Sequence, residues 1–204
     1  MYAKYLKRVI DFLLSLIALI VLSPLLLILI VLGTVFMRGN PFFTQERPGK
    51  DEKIFKLIKF RTMDNRKNKE GKLLPDEVRL NKYGRFLRAT SLDELPELAN
   101  IVKGDMSIIG PRPLLVKYLP YYTEREQLRH SIRPGLTGYA QVHGRNKVTW
   151  EEKFEMDVWY VEHLTFLTDI KVFFDTIKVV TSHEGVVLNA LEDFDEYRKH
   201  TVKM

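Results

Sequence analysis

The sequence predicts a mainly α-helical monotopic membrane protein with a small β-hairpin, an N-terminal reentrant helix bent at Ser23-Pro24, and interfacial amphipathic helices. Three observations predict it. An uncharged apolar run covers residues 12–37 and is interrupted near its centre by Ser23-Pro24. Both flanks of that run are basic, and the remaining chain shows amphipathic helical patterns beside one hairpin signal.

The apolar run reads FLLSLIALIVLSPLLLILIVLGTVFM. At a rise of about 1.5 Å per residue it is long enough for a hydrocarbon core of about 30 Å. Pro24 has no amide hydrogen and its ring clashes with the carbonyl of Ile20, a defect of about 3 kcal/mol or more in a plain helix. In lipid that carbonyl cannot turn to water, so the Ser23 hydroxyl is its expected local partner. Lys4, Lys7 and Arg8 precede the run, and Arg38, Lys50, Lys53, Lys56, Lys59 and Arg61 follow it. Cationic flanks favour the cytoplasmic side, so a helix that enters and leaves by one face satisfies both. A straight single span with a tolerated proline accounts for the same run, and both topologies stand. The run is too long for a signal-peptide core and no A-x-A-like cleavage site follows, so it is expected to remain in the mature protein.

Three parts follow: a membrane helix over 1–37, one domain over 38–182, and a C-terminal tail over 183–204. The domain is large enough to bury a single core. A net charge of +6 suits an anionic leaflet or phosphate-bearing ligands. Nucleic acid, the competing partner of a basic chain, is not expected, because no Arg/Lys-rich helix, zinc spacing or RNP-like strand occurs. Cysteine is absent, which excludes disulfides and thiolate metal sites.

Along the domain, 42–46 and 54–63 read as strands joined by a turn at Pro48-Gly49. Residues 64–78 read as an exposed polar loop, 82–89 as a short helix, and Ser91 to Lys103 as a helix ended by Gly104. An extended, proline-stiffened connector is expected over 105–113, and another helix over about 114–130. Trp150, Phe154, Val158 and Val161 share one face of a further helix. Ile170, Phe173, Phe174, Ile177 and Val180 share a face of the last, with Thr168 as its N-cap. Such faces pack into a core or, in a chain tied to a bilayer, insert into the interface.

The chemistry concentrates in 88–113, RATSLDELPELANIVKGDMSIIGPRP. Ser91 and Glu94 have the spacing of a capping box, which puts Asp93 in a first helical turn where free amides favour negative charge and phosphate. The same spacing also describes a well-capped acidic helix start with no further role. Adjacent residues on a regular helix diverge by about 100°, so Asp93 and Glu94 converge only if Pro96 bends the turn. Arg112 lies between Pro111 and Pro113, a rigid backbone that suits bidentate phosphate recognition or simply a surface arginine in a stiff loop.

These motifs resemble those of the small monotopic phosphoglycosyl transferases, bacterial polyprenol-phosphate sugar-1-phosphate transferases. The resemblance runs through Lys7-Arg8-Val-Ile-Asp11, Ser23-Pro24, Phe43-Thr-Gln45, Lys59-Phe-Arg-Thr-Met63, Ser91-Leu-Asp-Glu-Leu-Pro96, Gly104-Asp-Met-Ser107, Gly110-Pro-Arg-Pro113, Arg133 to Val142, and Gly144-Arg145. It covers about 1–182 and is closest to the stand-alone enzymes that act on modified N-acetylated hexoses; the further membrane spans of larger relatives are not expected.

The resemblance implies that Asp93 attacks the β-phosphate of a UDP-sugar, releasing UMP and holding a phospho-sugar, which polyprenol phosphate (undecaprenyl phosphate in most bacteria) then removes. It implies Mg²⁺ bound by Asp93 and the diphosphate, with Glu94 as a supporting carboxylate. Lys59, Arg88, Arg112 and Arg145 are the cations it places around the phosphates. Asp157 matches a further acidic position of the family, and a solvated helix charge is its other reading. The implied location is the cytoplasmic face of the bacterial inner membrane, with membrane lipid as a partner and room for a homodimer through the aromatic helix faces. A membrane-anchored interaction module would share the anchor and the basic surface without needing paired carboxylates or a metal.

Overall fold

The computed structural model describes residues 2–144, 148–182 and 193–201. A π-helical turn at Tyr2–Leu6 leads into α1 (Lys7–Val21), and α2 (Ser23–Phe36) follows after one residue. The two helices meet at 65°, so the apolar run is not one straight rod. The cause is local. Pro24 cannot donate to the Ile20 carbonyl, and the Ser23 hydroxyl donates to it instead at 2.8 Å. Outward-facing residues such as Ile17, Ile20, Leu27 and Val35 are exposed along both helices.

Buried polar groups tie this pair to the rest. Lys7 Nζ lies 2.7 Å from Asp169, and Tyr2 and Tyr160 both donate to that carboxylate. Arg8 donates to the carbonyls of Ile101 and Val102 at 2.6 and 2.8 Å, a cation on the last turn of α5 (Glu97–Lys103). On α2, Leu29 packs with Phe60, Tyr83 and Leu87, and Tyr83 donates to the Leu29 carbonyl at 2.8 Å.

The hairpin forms as expected, with a longer first arm and a shorter second one. β1 (Phe42–Pro48) pairs antiparallel with β2 (Ile54–Phe60) from Phe42↔Phe60 to Pro48↔Ile54. Alternation then puts Phe43, Gln45 and Arg47 on the same face as Leu57 and Lys59. The polar segment after the hairpin ends in a short α3 (Asp76–Arg79), and α4 (Lys82–Ala89) follows, capped by the Asn81 side chain on Gly84.

Two helical expectations need correction. Ser91 adopts a left-handed φ of 54° and makes no capping bond; a 3₁₀ turn at Leu92–Glu94 follows, and α5 starts only after Pro96. Pro96 disrupts the helix there, and the Glu94 carboxylate is held by Lys59 and Arg112 rather than by the Ser91 amide. Gly104 ends α5 as expected, at a φ of 102° open to glycine. The stretch 114–130 is broken as well, into a 3₁₀ helix Val116–Tyr121, α6 (Glu124–Gln127) and a 3₁₀ turn Leu128–His130. Pro120 interrupts the ladder, and Thr123 restarts it with a capping box to Glu126.

The connector over 105–113 contains β3 (Ser107–Ile109), which pairs in parallel with β4 (Gly135–Thr137). Gly135 lets the chains meet: a Cβ there would lie 2.1 Å from the Gly110 nitrogen. α7 (Tyr139–His143) and α8 (Trp150–Glu162) come next, and Trp150, Phe154 and Val158 are buried as their spacing predicts. The C-terminal stretch supplies α10 (Phe194–Thr201), whose fully buried Phe194 packs with Tyr118, Tyr122, Trp150 and Phe154.

α9 (Phe166–Ser182) keeps its apolar face outside the core. Ile170, Phe173, Phe174, Ile177 and Val180 are 37–63% exposed, while Asp169 and Val172 are its buried contacts. The Thr165 hydroxyl accepts from the Thr168 amide at 3.1 Å, so Thr165 takes the capping place expected of Thr168.

Candidate active site

Four elements converge on one cavity of about 650 Å³. β2 contributes Lys59, α4 contributes Arg88, the 3₁₀ turn contributes Asp93 and Glu94, and the proline-flanked segment contributes Arg112. Five of the residues selected from sequence therefore share a wall. The turn replaces regular helix at 92–94, which lets the adjacent carboxylates Asp93 and Glu94 line the same space.

Glu94 is the electrostatic hub. Its Oε1 lies 2.7 Å from Lys59 Nζ and 2.6 Å from Arg112 Nη2. Burial pushes its carboxyl up, but Arg112 and Lys59 outweigh burial and hold it at about 2. Lys59 also reaches Glu97 at 3.0 Å. Burial there exceeds the pull of Lys59, Glu94 adds repulsion, and the Glu97 carboxyl is pushed up to about 7.

Asp93 differs from both. Burial raises its carboxyl above the ordinary range, Glu94 raises it further, and Lys59 and Arg112 act against that. Among the described residues its carboxylate makes no ion pair. The cavity thus combines one available carboxylate with a second whose ionised form is favoured and locked between two cations. An available carboxylate beside cations can attack a phosphorus centre whose negative charge those cations offset. A Mg²⁺ ion takes one or two carboxylates and completes its shell with phosphate oxygens and water, so Asp93 suits a metal that arrives with a diphosphate.

Arg88 lines the same cavity, with Nε on the Thr62 hydroxyl at 3.1 Å. Arg145 lies outside the described residues. Asp157 is neither a cavity residue nor a solvated charge. It is buried on α8 against Arg129, 2.7 Å away, with both side chains almost fully shielded. Arg129 in turn donates to the Arg112 carbonyl at 2.8 Å. Ser23 and Pro24 stand at the helix break described above.

Sequence reasoning missed Glu97, Arg129 and Arg47. Glu97 is three residues beyond Glu94, and Arg47 follows Phe43 and Gln45 at strand period, so both carried a legible signal; Arg129 carried none. Arg47, Lys59 and Arg112 border an adjoining cavity of about 260 Å³ with Tyr118 and Trp150 in its wall. Arg47 Nε is buried there with no hydrogen-bond partner among the described residues.

Residues 2–183 match the model of the bacterial sugar transferase family. The chain belongs to that family. This sugar transferase is 48% identical over 181 residues to the "uncharacterized sugar transferase EpsL" of Bacillus subtilis, covering 89% of this chain and 90% of that one. It is 36% identical to the "undecaprenyl-phosphate galactose phosphotransferase" of Salmonella typhimurium, over 90% of this chain and 42% of that one. It is also 36% identical to the "UDP-glucose:undecaprenyl-phosphate glucose-1-phosphate transferase" of Klebsiella pneumoniae, over 84% of this chain and 39% of that one. The sugar transferase thus spans most of the first relative and about two fifths of the other two. The family read from the motifs is the family found.

Proposed function

We propose that this sugar transferase moves a sugar 1-phosphate from a UDP-sugar to polyprenol phosphate, giving polyprenyl-diphospho-sugar and UMP. The observation that carries this reading is the pairing of a free Asp93 with a locked Glu94 in a cation-lined cavity. The names of the Salmonella and Klebsiella relatives support the donor and acceptor classes.

In the first step an Asp93 oxygen attacks the β-phosphorus of the donor. The bond from that phosphorus to the bridging oxygen breaks, and UMP departs with the electron pair. In the second step a phosphate oxygen of polyprenol phosphate attacks the same phosphorus, and the Asp93 carboxylate leaves. One site then serves a soluble donor and a lipid acceptor in turn. Arg112, Lys59 and Arg88 offset phosphate charge; the nucleoside end faces Tyr118, Trp150 and Arg47. Asp93 would hold a Mg²⁺ ion, which when bound would supply further charge neutralisation.

In this reading α1 and α2 form a reentrant hairpin in the cytoplasmic leaflet of the bacterial inner membrane. The exposed face of α9 lies at headgroup depth, which sets the cavity where a lipid phosphate resides. Relatives named for galactose and glucose do not select a sugar, and a modified N-acetylhexosamine is the class the motifs favour. UMP release, measured across a panel of UDP-sugars with Mg²⁺ and polyprenol phosphate, tests the reaction and the sugar together. No UMP from any donor would contradict it.

A further inference from the structure

A second cavity, of about 470 Å³, touches the first at two residues only, Glu94 and Arg112. Its chemistry is different. Leu95, Ile108, Leu136, Val142, Phe173 and Val180 make its walls apolar. Of its polar lining, Thr137 and Thr176 hydrogen-bond each other at 2.9 Å, and Ser91 and Gln141 add two further polar groups. Along α9 the groove continues into the exposed apolar face already described, and at its other end it meets the Arg112 guanidinium.

We infer that this groove is the acceptor subsite: it takes the first isoprene units of a polyprenyl phosphate, with the phosphate at Arg112 and the tail running out along α9. The inference rests on the proposed reaction and adds where its lipid substrate sits. Two properties select this occupant. An apolar trough that ends at the Arg112–Glu94 ion pair, where the other guanidinium donors stay open to an anion, matches a long hydrocarbon bearing a single terminal phosphate. Arg112 offers five N–H donors, and among the described residues Glu94 takes only Nη2. A bilayer phospholipid, with two acyl chains, would not thread a single trough, and a second protein chain has no use for an anion-binding end.

Sharing Arg112 also fits the order of events. Once UMP has left, the guanidinium is free to receive the acceptor phosphate, beside the phosphorus now held on Asp93. The tail never enters the polar cavity. Donor and acceptor compete for Arg112 but not for the walls of their own cavities.

Photolabelling tests this with the unaltered protein. A polyprenyl phosphate carrying a diazirine in its first isoprene units should label peptides containing Phe173–Val180 and Leu136–Val142. Unlabelled polyprenyl phosphate should suppress that labelling, and phosphatidylglycerol should not. Val180→Trp, which fills the groove from its rim, should raise the acceptor KM at least tenfold. It should leave the UMP burst seen without acceptor unchanged; Lys67→Ala, in the polar segment after the hairpin, should change neither. Labelling confined to α1 and α2, suppression by phosphatidylglycerol, or an unchanged acceptor KM in Val180→Trp would overturn the subsite while the UMP burst upholds the reaction. A wild-type protein that releases no UMP would instead overturn the reaction and the subsite with it.

Discussion

Arg129 holds Arg112 by its backbone: Nη2 of Arg129 donates to the Arg112 carbonyl at 2.8 Å while the same guanidinium is paired with buried Asp157 at 2.7 Å. Arg112 is therefore fixed from three sides, by Pro111, by Pro113 and by an ion pair behind it. Asp157→Asn leaves the Arg129 charge buried without its partner, a change that costs about 3–5 kcal/mol in comparable buried pairs. The expected result is a lower urea midpoint together with a higher KM for the UDP-sugar. A stability loss with no change in KM would mean that Arg129 does not position Arg112.

Arg112 itself works through shape as well as charge. Arg112→Lys keeps the charge and removes the planar fork. It should lower kcat/KM for the UDP-sugar at least tenfold, about 1.4 kcal/mol of transition-state stabilisation. Lys67→Ala, in the exposed segment after the hairpin, is the control and should leave kcat/KM unchanged.

The stability of the site should depend on pH in a defined window. Glu97 titrates near 7 when folded and near the ordinary 4.5 when unfolded. Between those values the folded state binds more protons, so this group makes stability fall as pH rises, by at most about 1.4 kcal/mol per pH unit. Glu94 has the opposite sign, with its contribution present above 4.5 and lost as pH falls toward 2. Glu97→Gln should therefore gain on the wild type in urea unfolding between pH 5 and pH 7. A constant difference between the two proteins across that range would show that Glu97 is ionised throughout.

How much of this was visible in the sequence follows from the range of the interactions involved. The hairpin, α4 and the Gly104 stop were legible because strand alternation, an Asn cap and a left-handed glycine are local signals. The Ser91 cap failed because Lys59 and Arg112, distant in sequence, capture the Glu94 side chain that a capping box needs. The parallel β3–β4 pair was illegible because each strand is three residues long and their contact depends on glycines brought together by the fold. Five residues carried over from the family resemblance meet in one cavity, whereas Asp157 lies outside it against Arg129, a partner that carries no local mark. The α9 face was legible as apolar, with core packing and interface insertion both open, and docking through Asp169 leaves it outside the core.

The bend at Ser23-Pro24 predicts the topology. Single cysteines at Tyr2 and Asn40, in a chain with no native cysteine, should both resist a membrane-impermeant thiol reagent in intact cells. Labelling at Tyr2 alone would establish a straight span. Pro24→Ala restores the missing donor, and should straighten the segment toward that spanning state with loss of activity.

The central claim is that Asp93 carries the phospho-sugar between the two displacements. Intact-protein mass spectrometry, with the UDP-sugar and Mg²⁺ but no lipid acceptor, reads it directly. The account predicts a mass increase of one sugar phosphate, mapped to Asp93, discharged by polyprenol phosphate and absent in Asp93→Asn. An unmodified mass together with strictly sequential kinetics would contradict it.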